Sequence, residues 1–372
     1  MRVLATCSIG GAGHLGPLLP ILDALADLGH ETLLVAPRSL EQHLERSGHA
    51  FRVAADPPQE EVMAIKEAIA AQRADSGILS ERELFGRLST SAMLPTVAEV
   101  ANVWKPQLMV RETCEYAGAV VAESEGVRHA QVGISLPSID ESALGVAASA
   151  LERFDRNLAL KIRGLPYLSR FPGSLGHSPF PQTWRYRSDS TADDEVPDND
   201  IDIYATLGSI AGSMGPLRGA YELALQAAGR TGLRVLMTTG TGLDPSELGE
   251  VPSNVEVRTW VPREERPQAR AVLCHGGSGT LLEALGTGTP VVALPLFADH
   301  FANAAALESS GAGLSVRAWP EGSAQAVADA LARVLAEPEF GKAARALAGE
   351  MAAAGSSTDV AARLTDFALG PR

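Results

Sequence analysis

At 372 residues the chain exceeds the ~250–300 residues at which a single hydrophobic core stops growing, so two domains are expected. Hydrophobic residues make up 45% and charged residues 20%, which excludes a disordered chain. The formal charge of -14 repels nucleic acid and anionic lipid, so neither is an expected partner and a phosphate-bearing ligand must be held by local donors.

In chain order, the apolar run Val3 to Ser8 predicts a first strand, followed by a glycine-rich turn. Leu15, Leu18, Leu19, Leu22, Leu25 and Leu28 recur at helical spacing, and Gly29 closes that helix. Thr32 to Ala36 is a second strand, residues 59 to 101 are mostly helical, and Trp104-Lys105-Pro106 precedes a strand from Gln107 to Arg111. A helix from Tyr116 to Glu125 follows. From Arg163 to Asn199 the periodicity fails among Pro166, Pro172, Pro179, Pro181 and Pro197 and the acidic run Asp193-Asp194-Glu195, which reads as a linker. Alternation resumes with strands near 201–206, 233–238, 255–259, 271–274 and 291–294. Apolar strands alternating with helices predict an α/β chain of two doubly wound domains, 1–180 and 201–372, joined by 181–200. The last helix is a candidate to pack back on the first domain.

Apolar segments such as 117–122 and 291–297 are far shorter than the ~20 residues of a bilayer span, and the run at 3–9 is too short for a secretory leader. A cytoplasmic location is expected. Cys7, Cys114 and Cys274 are odd in number, widely spaced and outside any C-x-x-C pattern, which argues against a disulfide framework and a zinc site.

Three motifs carry chemistry. Gly11-Ala12-Gly13-His14-Leu15-Gly16 matches G-x-G-x-x-G after a strand, and Arg38 beyond the second strand would suit a 2′-phosphate, so an NAD(P)-dependent oxidoreductase is one reading. The same glycines serve any tight strand-to-helix turn, and Pro17 and Pro20 crowd the place a pyrophosphate would approach. The second motif is more specific. The strand 271–274 runs through His275-Gly276-Gly277-Ser278-Gly279-Thr280 straight into a helix, so free amides and two hydroxyls can face an anion at close range. It lacks the lysine of a Walker loop. Third, His14 stands at the carboxyl end of the first strand, where open α/β sheets gather ligands. Arg111, Glu112 and Glu115 end a later strand, and a carboxylate bonded to one ring nitrogen makes the other a better base.

Gly13-His14-Leu15-Gly16-Pro17, Val110 to Gly118, Trp260-Val261-Pro262, the 275–280 loop and Pro295 to Ala304 together resemble glycosyltransferase family one, most closely the bacterial enzymes that decorate antibiotics. The resemblance implies the GT-B fold, two facing Rossmann-like domains with acceptor on the first and nucleotide sugar on the second. It implies His14 as catalytic base and Glu112 as its acidic partner, a position that more often holds Asp. It puts Trp260, next to Val261, on the nucleobase, Ser209 with His275, Gly277, Ser278, Gly279 and Thr280 on the diphosphate, and Glu283 on the ribose. Asp299 and His300 match the pair that reads the sugar, with His300 in place of the usual Gln. Arg263 stands where plant members have Gln, and Cys274 where bacterial members often have another His.

The implied reaction is inverting transfer from a TDP-sugar, more than a UDP-sugar, to a hydroxyl of a small natural product, with no other cofactor and no metal. The sugar is expected to be a deoxysugar, and a homodimer is one option for the assembled state. The patterns Asp198-Asn199-Asp200 and Asp200-Ile201-Asp202 resemble metal-binding D-x-D but lie in an acidic, solvated stretch. A sugar-nucleotide epimerase using the same loops, and a silent partner that keeps the fold, are the remaining readings; His14 with Glu112 counts against the second.

Overall fold

The computed structural model describes residues 1–71, 77–187, 201–208, 211–262, 265–266, 268–317 and 319–371. Contacts divide the chain into two units: Met1–Arg170, His177–Asp189 and Ala354–Arg372 form the first, Phe171–Gly176 and Ser190–Ala353 the second.

Among the described residues the first unit holds seven parallel strands, β1 (Arg2–Thr6), β2 (Glu31–Pro37), β3 (Phe51–Ala54), β4 (Leu108–Glu112), β5 (Arg128–Val132), β6 (Tyr167–Ser169) and β7 (Thr183–Arg185), in the order 3-2-1-4-5-6-7. Both sheet faces are covered, which is why the centre of β1 is apolar: Val3 and Ala5 enter one core with Leu18, Leu22 and Leu34, while Leu4 enters another with Met93 and Val97. The helix Ser357–Leu369 opens with a reciprocal cap between Ser356 and Asp359 and buries Val360, Ala361 and Leu364 in the first of these cores. Burying a leucine such as Leu364 stabilises by roughly 1.5–3 kcal/mol. The last helix thus belongs to the first unit, and the contact-defined unit differs from a simple 1–180 segment.

Among the described residues the second unit holds six parallel strands, β8 (Ile203–Thr206), β9 (Val235–Thr238), β10 (Val255–Arg258), β11 (Ala271–Cys274), β12 (Val291–Ala293) and β13 (Gly313–Ser315), in the order 10-9-8-11-12-13. Its core packs Ile203, Met237, Leu273 and Val292 against Ala224, Leu225, Val327 and Leu331.

Part of the segment read as linker is sheet. β6 and β7 are three-residue strands between prolines, too short to show a period, yet Tyr167 and Trp184 are buried when β6 pairs with β5 and β7 with β6. β5 was hidden by its polar residues, which find partners only in three dimensions: Gln131 accepts from Arg111 at 3.0 Å and donates to the Ile162 carbonyl at 3.0 Å. The run 193–195 and Asp198 to Asp200 lie outside the described residues.

Each sheet has one point where strand order reverses. β1 lies between β2 and β4, and β8 lies between β9 and β11. The chain leaves the two central strands on opposite sides there, opening a crevice at their carboxyl ends.

Candidate functional site

In the first unit the β1–β4 crevice is filled by the chain's own polar groups. The turn after β1 uses Gly10 and Gly11 at φ +143° and +72°, and a Cβ on Gly10 would come within 2.2 Å of the His14 ring. Only glycine lets the imidazole fold back over the turn. Gly10 stands just before the G-x-G-x-x-G match, and a Cβ on the match's own Gly13 would meet nothing within 4 Å. His14 Nδ1 lies 3.3 Å from Glu112 Oε1. The ring is 16% exposed and stacks on Phe85 at 5.4 Å and 22°.

Glu112, fully buried, ends β4. Its Oε1 accepts from the Ser8 amide at 3.1 Å and hydroxyl at 2.5 Å, and its Oε2 from the Cys114 amide at 2.6 Å. Burial alone would raise its pKa; the His14 charge and these donors outweigh burial and hold it below the ordinary carboxylate value. For His14, burial pulls down, but the charge of Glu112, then of Glu81 and Asp140, leaves the imidazole above its ordinary value. Each group thus stabilises the charged form of the other, so a proton taken up by the imidazole is held by the carboxylate facing it.

Three further acids surround this pair. Glu81 lies on the π-helical segment Ile78–Ser89, four residues before Phe85, and accepts from the Cys114 thiol at 3.6 Å. Burial raises its pKa. Asp140 is buried, accepts from the Tyr167 hydroxyl at 2.8 Å and the Ile134 amide at 3.2 Å, and burial pushes it up to about 8. Glu115 accepts from Thr6 at 2.5 Å and from the Gly118 amide, and burial pushes it up to about 7. Arg111 is spent on structure: it donates to the carbonyls of Glu112, Thr113 and Glu115 and fixes the chain after β4.

In the second unit β11 ends at Cys274, and the helix Ser278–Gly286 starts at Gly277 without any side-chain cap. The first amides of that helix therefore have no partner inside it. Gly276 takes φ +84°. The His275 ring lies between two glycines, since a Cβ on Gly208 would come within 2.8 Å of it and one on Gly277 within 2.4 Å. Burial, then the neighbouring His300, lower His275 to about 3, so its imidazole is neutral.

The predicted residues of this loop are not equivalent. Gly279 is exposed and Thr280 half-buried, whereas Ser278 is buried and gives its hydroxyl proton to Asp299 at 2.8 Å. Ser278 is thus engaged within the fold and is not a free donor. His300, matched to the sugar, is only 4% exposed, its ring edge-on to His275 at 4.4 Å and against Phe297. Burial lowers it to about 4. Ser209 lies outside the described residues, as does Arg263.

Trp260 is 53% exposed just past β10, beside the buried Val261. Its ring lies under the Arg266 guanidinium at 5.3 Å, and Arg266 Nη1 donates to Glu283 Oε2 at 2.5 Å and Nε to the Val261 carbonyl at 3.3 Å. Arg266 brings Trp260 and Glu283 into one group, although nothing in its spacing singled it out. Phe85, Glu81 and Asn303 were missed likewise, because each acts through a tertiary neighbour. Among the described residues no three His, Cys, Asp or Glu side chains are grouped to hold a metal ion, and no helix is long and apolar enough to cross a membrane. Asp202 pairs with Arg270 at 2.9 Å.

With this geometry in view, residues 223–367 match the family described as erythromycin biosynthesis protein CIII-like, C-terminal domain. The chain is 29% identical to the elloramycin glycosyltransferase ElmGT of Streptomyces olivaceus, over 99% of this chain and 98% of that one. Among solved structures it is similar to the glycosyltransferase SnogD from Streptomyces nogalater, with a TM-score of 0.77 and 24% identity over 99% of both chains. It is similar also to the spinosyn rhamnosyltransferase SpnG, with a TM-score of 0.79 and 22% identity over 98% of this chain and 100% of that one. The fold is GT-B. The chain is a glycosyltransferase, so the oxidoreductase and epimerase readings give way.

Proposed function

We propose that the protein transfers a sugar, by our reading a deoxysugar, from a nucleoside diphosphate, TDP rather than UDP, to a hydroxyl of a small natural-product aglycone, with inversion and without a metal ion. The observation that carries this is His14 held against the buried Glu112 at the strand-order reversal of the first unit. With Nδ1 facing the carboxylate, Nε2, which has no partner among the described residues, takes the acceptor proton. The acceptor oxygen bonds to the anomeric carbon, the bond from that carbon to the diphosphate breaks, and its electron pair leaves with the phosphate. Attack opposite the leaving group inverts the centre. The free amides of residues 278–280 and the hydroxyl of Thr280 would receive the growing phosphate charge, and Trp260 would stack on the base with Glu283 taking a ribose hydroxyl. Support comes from the relatives as named: ElmGT is a glycosyltransferase of elloramycin, and SpnG has been solved with thymidine diphosphate and with the spinosyn aglycone.

Calorimetry of TDP binding in EDTA, with wild type and His14→Ala, tests this. Both should bind TDP equally, while the variant turns over ~10²–10⁴-fold more slowly. Binding that vanished in EDTA and returned with Mg²⁺ would overturn the metal-free account, and a variant retaining most of its kcat would remove His14 as base.

A further inference from the structure

The start of the helix His300–Ser310 packs against the loop 275–278. Asn303 is fully buried, and its amide nitrogen lies within hydrogen-bond distance of the Gly276 carbonyl (2.9 Å), Ser278 Oγ (3.1 Å) and Asp299 Oδ2 (2.9 Å). The Ser278 hydroxyl closes the group by donating to the same Asp299 oxygen. The loop also approaches the helix backbone closely, since a Cβ on Gly276 would come within 3.1 Å of the His300 carbonyl oxygen. His300 completes the contact by placing its ring at 89° to that of His275. Its Nδ1 accepts from the Phe297 amide at 3.4 Å, which puts the proton of the neutral ring on Nε2.

We propose that this helical turn is a brace for the diphosphate loop, with His300 and Asn303 as positioning residues that act through His275 and the 276–278 backbone, and that His300 does not read the sugar. The inference rests on the proposed role of the loop in holding a nucleoside diphosphate. Its physical basis is preorganisation: amides already aimed at the anion need no ordering when it binds, and a loop that has lost its brace must be ordered at that moment.

The experiment compares TDP, which has no sugar, with a TDP-sugar. His300→Gln should weaken both by the same factor, about tenfold, raising the donor KM while kcat at saturating donor stays within about twofold. Asn303→Ala should show the same parallel loss, and melting temperatures identify the conditions under which each variant is folded. Unchanged TDP affinity in folded His300→Gln, with only the TDP-sugar weakened or a different sugar preferred, overturns the brace and restores His300 to the sugar. Wild-type protein that failed to bind TDP at all would instead overturn the reading of the loop itself.

Discussion

Replacing Glu112 by Gln tests the first-unit site most severely, because the side chain keeps its shape and loses its charge. At 3.3 Å and an effective dielectric of ~20 the His14–Glu112 attraction amounts to about 5 kcal/mol gross. The amide dipole of Gln retains part of this, so a loss of about 2–3 kcal/mol in the transition state, roughly 10²-fold in kcat, is expected. The pH profile gives the sign. Glu112 is the largest influence holding the imidazole above its ordinary value, and burial opposes it. Without that charge burial gains, and the His14 pKa falls. The acid limb of kcat must therefore move to lower pH while the plateau drops. A stability cost accompanies this, since Glu112 Oε1 accepts from Ser8 and Oε2 from the Cys114 amide. With the Gln oxygen toward Ser8, its NH₂ confronts the Cys114 N–H, a buried donor left unmet at about 1–3 kcal/mol. Rates measured from pH 5 to 9, with melting temperatures alongside, check both. An acid limb that stayed in place or moved up would refute the coupling.

Trp260→Ala should weaken nucleotide binding by about 1–3 kcal/mol, the scale of base stacking, and its half-exposed position predicts little change in melting temperature; unaltered TDP affinity by calorimetry would contradict the nucleobase role. Asp140 gives a pH-dependent stability. Its carboxyl is held near 8 in the fold against an ordinary 3.8, so the neutral-acid contribution is complete below about pH 4 and is lost as pH rises toward 8. Asp140→Asn, uncharged and of the same shape, should gain melting temperature relative to wild type at pH 8 more than at pH 5, and an equal difference at both values would rule out the buried neutral acid.

Much of the architecture was legible because its signals are local. Parallel strands covered on both faces favour apolar runs, as Val3 to Ala5 of β1 and the whole of β11 show, and a glycine-rich turn followed by a helix announces itself by composition at 275–280. His14 stood out because chain order alone puts it at a strand end. The role of Gly10 was not legible, since its need arises from the imidazole folding back over it.

What tertiary structure decided is the partnership of residues far apart in the chain. Glu112 meets His14 because β1 and β4 are neighbours at the point where strand order reverses, 98 positions apart in the sequence. The polar strand β5 and the three-residue strands β6 and β7 exist because the sheet supplies their hydrogen bonds and burial, which no periodicity of such short segments encodes. Position in the chain puts Ser278 on the diphosphate loop and His300 on the sugar by resemblance, while packing turns both inward, toward Asp299 and His275. A linear pattern specifies which groups can do chemistry; burial and hydrogen-bond competition in the folded chain determine which of them are free to do it.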